Sequence, residues 1–103
     1  MMTMQGLAWN CRGIKKKCVA TILKNLIQEY QFHFVGLQET MVQDCDESIL
    51  RKFDPHQDFL WMWNPSKGKS GGILVGVKID LYDVGSFKQG EFVIQLNLWD
   101  KNN

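Results

Sequence analysis

The sequence predicts a mixed α/β domain that begins with a strand-helix-strand unit. Residues Gly6–Trp9 form a short apolar segment, and a second one follows at Phe32–Leu37. Between them, residues Ile14–Tyr30 carry the spacing of an amphipathic helix. A helix connecting two short strands is the usual crossover between parallel neighbours in a sheet. The first third of the chain is therefore predicted to form such a unit.

The helical segment gives the strongest structural signal in the chain. Its apolar residues recur every four positions, and three further apolar residues widen the stripe. The recurring positions are Ile14, Cys18, Ile22, Leu26 and Tyr30, and the widening ones are Val19, Leu23 and Ile27. This pattern predicts one long helix with a buried face.

The rest of the chain predicts mainly strands. Residues Ser48–Phe53 could form one or two helical turns, which Asp54 and Pro55 would end. Ile73, Val75 and Val77 alternate along one predicted strand. The predicted strands are 58–63, Ile73–Lys78, Leu81–Phe87 and Glu91–Trp99, with a turn-rich loop at 64–69. The last of them are expected to pair antiparallel as hairpins or a meander.

Composition excludes several classes of protein. The chain has 103 residues, 45% of them apolar, which is enough for a globular core and too much for a disordered chain. The formal net charge is +1, so any attraction to nucleic acid must be local. The apolar runs are too short to span a membrane, and the N-terminus lacks the basic region of a secretory signal. We expect an intracellular protein, nuclear or cytoplasmic, with no membrane partner.

The three cysteines do not form a recognisable framework. Cys11, Cys18 and Cys45 are odd in number and include no C-x-x-C pair. This argues against both a disulfide scaffold and a zinc ribbon. We expect all three to be free thiols that are buried or half-buried.

Two polar residues directly follow predicted strands. Asn10 comes after the first apolar segment, and Glu39 comes after the second. Neighbouring parallel strands deliver their carboxyl ends to the same rim of a sheet, where ligands commonly bind. A hard divalent cation held by carboxylate, amide oxygen and water would suit this pair. The alternative is that Asn10 forms a turn and Glu39 is solvated in a loop.

Three blocks of sequence resemble the opening motifs of the endonuclease/exonuclease/phosphatase superfamily. They are Leu7–Gly13 (LAWNCRG), Gly36–Thr40 (GLQET) and Ser70–Ile73 (SGGI). The pattern is most similar to the endonuclease domain that precedes reverse transcriptase in plant non-LTR retrotransposons. The resemblance implies the first half of a two-sheet α/β sandwich of the DNase I-like type, with about six strands and one long helix. Residues 1–103 would then form a single partial domain.

The same resemblance implies a phosphoesterase site that uses magnesium or manganese. By position, Glu39 would be the metal-binding carboxylate and Asn10 its companion at the metal and phosphate, both acting in catalysis. Ser70, Gly71 and Gly72 would form a close-packed turn into a central strand, with direct substrate contact as the alternative. The expected partner is DNA or another phosphate ester.

Two other motifs of that superfamily do not occur in this chain. A Tyr-Gly block would supply phosphate orientation and a Ser-Asp-His block the general base, and neither is present; the water-activating block has the form Asp-x-Asn, which occurs once, at Asp100–Asn102. His33 is expected in the core and His56 in a surface loop. We therefore expect little or no activity from these residues alone, and a marginal or self-associating fold whose exposed strand edge could also bind the missing half.

A basic cluster lies where the first helix is predicted to begin. Arg12, Lys15, Lys16 and Lys17 gather four of the twelve Lys and Arg residues into six positions. Cations at a helix N-terminus oppose the macrodipole, so helix stability does not explain them. They could contact nucleic-acid phosphates, or they could form a solvated charged turn.

Two functions follow from these patterns, with a third left open. The first is part of a metal-dependent endonuclease derived from a retrotransposon. The second is a catalytically inactive remnant that binds nucleic acid or a protein partner. A translated gene fragment without a selected role is the third.

Overall fold

Two parallel strands connected by a helix form the centre of the fold. Strand β1 (Gly6–Asn10) and strand β2 (Phe34–Gln38) flank helix α1 (Lys17–Tyr30). The computed structural model describes residues 5–43, 45–65, 71–89 and 94–100. The strands pair from Gly6 opposite Phe34 to Asn10 opposite Gln38. The predicted crossover unit is therefore present.

Two antiparallel strands complete a four-stranded sheet. Strand β3 (Phe59–Asn64) and strand β4 (Ile73–Lys78) pair with each other, and β4 also pairs with β2. The order across the sheet is β1-β2-β4-β3, which leaves β1 and β3 at the two edges. The short helix α2 (Glu47–Leu50) lies between β2 and β3 in sequence, and β4 has the bounds that its sequence predicts.

A hairpin forms a second, separate sheet among the described residues. Strand β5 (Tyr82–Gln89) and strand β6 (Ile94–Asp100) are antiparallel, with an irregularity between Val84 and Ser86. The predicted start of the last strand at Glu91 lies outside the described residues. The chain is thus a mixed α/β fold with few helices, whereas the complete two-sheet sandwich stays a prediction.

The buried face of α1 differs from the stripe that the sequence predicts. Val19, Ala20 and Leu23 are buried, whereas Cys18 and Ile22 are exposed. A spacing of four residues advances 400° around a helix, so a stripe at every fourth position drifts off one face over several turns. The widening residues of the prediction are the ones that pack on the sheet, and Tyr30 at the end of the drifting stripe is 47% exposed.

Helix α1 also begins three residues later than predicted. Ile14 is buried, but it belongs to a loop in which Arg12 and Gly13 have positive φ angles of 55° and 115°. The Ile14 amide donates to the Thr40 carbonyl (3.1 Å), which ties this loop to the residues after β2. Lys16 is the N-cap of α1 and makes no side-chain capping hydrogen bond. The hydrogen bond between this loop and the residues after β2, and not a capping side chain, therefore determines where α1 begins.

The main core lies between α1, α2 and one face of the sheet. Leu23, Val35 and Leu37 are fully buried there, and burial of one such side chain contributes about 1.5–3 kcal/mol. Of the cysteines, Cys11 and Cys45 are buried and Cys18 is exposed, and all three are free. In the part of the chain that the structure describes, no helix is long and apolar enough to cross a membrane.

Candidate active site at the ends of β1 and β2

The parallel register delivers Asn10 and Glu39 to the same rim of the sheet. Asn10 is the last residue of β1 and lies opposite Gln38, so Glu39 follows at the next position of the neighbouring strand. Side chains alternate between faces along a strand. Asn10 therefore lies on the face opposite Trp9 and Leu37, which pack in the main core. Both Asn10 and Glu39 are exposed to solvent.

Backbone hydrogen bonds continue beyond the strand ends and hold this rim together. The Cys11 amide donates to the Gln38 carbonyl (3.1 Å), and the Gly13 amide donates to the Glu39 carbonyl (2.9 Å). The loop after β1 is therefore fixed against the residues after β2. The hydrogen bond from Gly13 to the Glu39 carbonyl thus fixes the backbone from which the Glu39 side chain extends.

The loop before β4 is attached to the same rim. The amides of Thr40 and Met41 donate to the carbonyls of Gly72 (3.2 Å) and Gly71 (3.0 Å). Both glycines have positive φ angles, which residues with a side chain rarely adopt. Ser70 lies outside the described residues. The two glycines thus act here through backbone hydrogen bonds, but a Cβ at Gly71 would meet nothing within 4 Å among the described residues, so the close packing expected of this turn is not found there.

Several residues of the rim adopt the left-handed region of backbone conformation. Arg12, Glu39 and Met41 have φ angles of 55°, 54° and 63°. Such angles cost about 1–2 kcal/mol per non-glycine residue. Two other examples, Gln31 and Gln57, lie elsewhere, the first at the C-cap of α1. Strain of this kind often occurs at functional sites, and it marks the rim as a candidate.

The electrostatics of Glu39 leave its carboxylate available to a ligand. Its closest charged neighbour among the described residues is Arg12, whose Nε lies 4.0 Å from Oε2 of Glu39. Both side chains are solvent-exposed, 80% for Arg12 and 47% for Glu39. An exposed pair at this distance contributes little to stability. An incoming cation or phosphate could therefore replace it at small cost.

The donor set at the rim suits magnesium better than a metal that needs several protein ligands. The described residues contain no group of three or more His, Cys, Asp or Glu side chains that could hold a metal. Magnesium usually binds proteins through one or two carboxylates and keeps several waters. One exposed carboxylate at the same rim as an amide side chain fits that requirement, whereas zinc would need more nitrogen or sulfur ligands.

The buried thiol at the rim is not a candidate nucleophile. Burial raises the pKa of the Cys11 thiol above its usual value of 9.0, and the Glu39 charge adds to the rise. Its Sγ lies 3.5 Å from the Gln38 carbonyl oxygen, to which the protonated thiol can donate. Because the nucleophilic form is the thiolate, Cys11 has a packing role here.

The predicted basic cluster divides into two groups. Arg12, Lys15, Lys16 and Lys17 are all exposed. Arg12 lies beside Glu39, and the aliphatic part of Lys16 lies next to Gly13. Lys15 and Lys17 instead line a recess beside α1. Only Arg12 and Lys16 therefore lie with the rim residues.

Two lysines outside the predicted basic cluster, Lys24 and Lys52, also line that recess. Lys24 follows Lys17 by seven residues, a spacing that places both on one side of a helix. This signal was present in the sequence. Lys52 lies in the turn after α2, and only the tertiary fold brings it to α1. No local pattern would have predicted its position.

Neither histidine lies at the rim. His33 directly precedes β2, at the opposite end of that strand from Glu39. Its Nδ1 accepts a hydrogen bond from the Gln5 amide (3.3 Å), and its ring contacts Tyr82 edge-on. His33 is half-buried, close to the expected core position, and His56 is exposed as expected. The chain therefore brings no imidazole to the candidate site.

A second concave surface of the described residues does not include the rim. A groove of about 650 Å³ lies beside the edge strand β3, and Leu60, Trp63 and Ile79 contribute to its lining. Neither Asn10 nor Glu39 lines it. Its lining also includes the carboxylates of Asp46, Glu47 and Asp54, which would repel a phosphate, so we place the candidate chemistry at the rim.

Comparison with known proteins supports the fold. No protein-family model matches this sequence, and no curated protein matches it either. Among solved structures, the chain is similar to an AP endonuclease from Archaeoglobus fulgidus, with a TM-score of 0.62 and 16% sequence identity. The match covers 85% of this chain and 31% of that one, so the chain spans about a third of its neighbour's length. This likeness shows the fold alone, and that fold is the DNase I-like one that the sequence motifs resemble.

Proposed function

We propose that this chain is the opening part of a magnesium-dependent phosphodiesterase domain, derived from a retrotransposon endonuclease that acts on DNA. One observation carries the proposal. In a fold shared with an AP endonuclease, the parallel register of β1 and β2 brings Asn10 and Glu39 to one rim of the sheet. The strained backbone at Arg12 and Glu39 supports the same location.

In this proposal, Glu39 and Asn10 hold the metal ion. Magnesium or manganese, when bound, stabilises the negative charge that develops on the scissile phosphate. The Asn10 amide can accept from a metal-bound water through its oxygen or donate to a phosphate through its nitrogen. Arg12 is 4.0 Å from Glu39, so its guanidinium can turn from that carboxylate to a phosphate oxygen.

The described residues supply binding groups for this reaction but no general base. Both histidines of the chain lie away from the rim, and the Cys11 thiol is protonated at neutral pH. Loss of a positioned base typically reduces a rate by about 10²–10⁴-fold. We therefore expect the 103-residue chain to bind metal and DNA while cleaving DNA slowly.

The absence of an imidazole at the rim favours a second candidate, a nucleic-acid-binding protein without catalysis. The exposed basic residues Arg12 and Lys16 would serve this function as well as the first. The two candidates differ in whether Glu39 matters, because a binder has no use for a carboxylate among its phosphate contacts.

Nicking of supercoiled plasmid distinguishes these functions. The enzyme predicts slow nicking that requires Mg²⁺, stops with excess chelator and is lost in Glu39→Gln. The matched control is Glu47→Gln, which removes an exposed glutamate that pairs with Arg51 on α2. Plasmid retention without nicking, unchanged in Glu39→Gln, would contradict the enzyme and support the binder.

A further inference from the structure

The recess beside α1 is lined by lysines and by no acidic residue. It measures about 540 Å³, and four of its lining residues are Lys15, Lys17, Lys24 and Lys52. Thr21 and Asn25 also line it and can donate hydrogen bonds through a hydroxyl and an amide. One third of the basic residues of a nearly neutral chain thus converge on one concave surface.

The recess is built from two parts of the chain. Lys17, Thr21 and Lys24 follow one another at intervals of four and three residues, which places them along one side of α1. Lys17 and Lys24 are about 10 Å apart along the helix axis, at 1.5 Å per residue. Lys52 comes from the turn after α2 and faces this row from across the recess. Lysines from two parts of the chain therefore line the recess.

No acidic side chain of the described residues pairs with the lysines of the recess. None of the four forms an ion pair within the described ranges, where the pairs found are Arg12 with Glu39 and Arg51 with Glu47. The Lys15 charge helps to lower the pKa of Asp46, as the weakest of several causes. Lys24 is half-buried, so part of its hydration is already lost.

Helix stability does not explain this arrangement. Lys17 lies in the first turn of α1, where a positive charge opposes the macrodipole, and no acidic residue occurs in that turn. Like charges that converge on a recess also repel one another. An anionic ligand would offset the unfavourable interaction with the macrodipole and the repulsion among the lysines, because phosphate oxygens accept hydrogen bonds from ammonium groups and stabilise their charge.

We propose that this recess binds the phosphate backbone of DNA at a surface separate from the rim, and that Lys24 and Lys52 each contact a phosphate. In B-DNA the phosphates of one strand recur about every 3.4 Å along the helix axis, so the row from Lys17 to Lys24 spans about three of them. Lys15 connects this surface to the loop after β1. The choice of DNA as the polyanion rests on the proposed function, whereas the positive recess does not.

Fluorescence anisotropy with a labelled 20-bp duplex, titrated against salt in excess chelator, tests this binding. Each phosphate contact contributes about 0.9 to the slope of log K against log salt concentration. The double variant Lys24→Gln/Lys52→Gln is expected to lower the slope by about 1.8 and to weaken binding at least tenfold at low salt. Each single variant should remove about half of that slope. The matched control, Lys78→Gln on β4, should leave the slope unchanged.

The outcomes separate this inference from the proposed catalytic function. The chelator removes any metal, so a chain without a metal site would still show the lysine-dependent slope. An unchanged slope in the double variant, with a wild-type circular dichroism spectrum, would overturn the proposal. So would lysine-dependent binding to phosphatidylserine vesicles without binding to the duplex, because the ligand would then be a membrane surface.

Discussion

The carboxylate of Asp54 lies 2.9 Å from the indole nitrogen of Trp61, in the interior of the protein. Asp54 is 4% exposed and also accepts hydrogen bonds from the amides of Asp58 (3.0 Å) and Phe59 (3.2 Å). The Trp61 ring packs edge-on against Phe53 at 5.2 Å between centroids. One buried carboxylate therefore ties the edge strand β3 to the turns that follow α2.

Replacement of Asp54 by Ala is expected to destabilise the fold strongly. The variant would leave three N–H donors without their acceptor, and each buried unsatisfied donor costs about 1–3 kcal/mol. We predict a loss of about 3 kcal/mol or more in the free energy of unfolding, measured by urea denaturation.

The matched control is Asp58→Ala, which removes a nearby exposed carboxylate and keeps the backbone donor. Its effect should lie within about 0.5 kcal/mol, as for most surface changes. Equal losses in the two variants would show that the buried network does not hold β3.

The glycines of the central strands differ in the space around them. A Cβ at Gly76 would lie 2.5 Å from Cζ3 of Trp61, inside the packed aromatic cluster. Gly76→Ala would therefore displace the indole from Asp54. Overpacking of this kind costs about 1–3 kcal/mol, which thermal or urea denaturation would detect.

Gly36 on the neighbouring strand provides the control. A Cβ there would meet only the Leu7 carbonyl oxygen, at 3.8 Å. We expect Gly36→Ala to leave stability within about 1 kcal/mol of the wild type, since alanine also reduces the entropy of the unfolded chain. If Gly76→Ala were equally harmless, the assigned packing of Trp61 on β4 would be wrong.

Asp46 should make stability depend on pH. The Ser48 hydroxyl (2.6 Å) and the Ile49 amide (3.2 Å) donate to its carboxylate at the N-cap of α2 and hold its pKa below the usual 3.8. Charged Asp46 therefore stabilises the folded state above that pH, and the contribution is lost as the pH falls through the lower folded-state value.

Urea denaturation of wild type and Asp46→Asn at pH 7 and pH 3 measures this contribution. The stability difference between the two proteins should be larger at pH 7 and should shrink at pH 3. Ser48→Ala, which removes the main cause of the lowered pKa, should reduce the pH dependence without abolishing it. A difference that does not change with pH would exclude a charged cap.

Local patterns predicted much of the sheet. The alternation of Ile73, Val75 and Val77 gave the bounds of β4, and two apolar segments flanking a helix gave the parallel pair. The candidate residues Asn10 and Glu39 could be placed at one rim because strand direction determines which ends meet. These features depend on periodicity and connectivity, which a sequence displays directly.

Other features depend on distant parts of the chain. The sequence predicted Asp54 only as the end of a helical turn. Its hydrogen bond from the Trp61 indole forms only when the two residues pack together in the fold. The sheet contacts one face of α1, which includes Val19 at 6% exposure and leaves Ile22 at 47%, and the period of four alone does not show which face that is. Lys52 joined the basic recess through the turn after α2. Contacts of this kind carry no local signal.

The position of a bound divalent cation tests the central claim most directly. Manganese broadens NMR signals of nearby nuclei, and titration of the ¹⁵N-labelled chain would locate it. We predict selective broadening of the Asn10 side-chain amide and of the backbone amides of Glu39 and Gly13, lost in Glu39→Gln and retained in Glu47→Gln. Broadening confined to the acidic surface around Asp46 and Glu47, with the Asn10 signal unaffected, would contradict a metal site at the ends of β1 and β2.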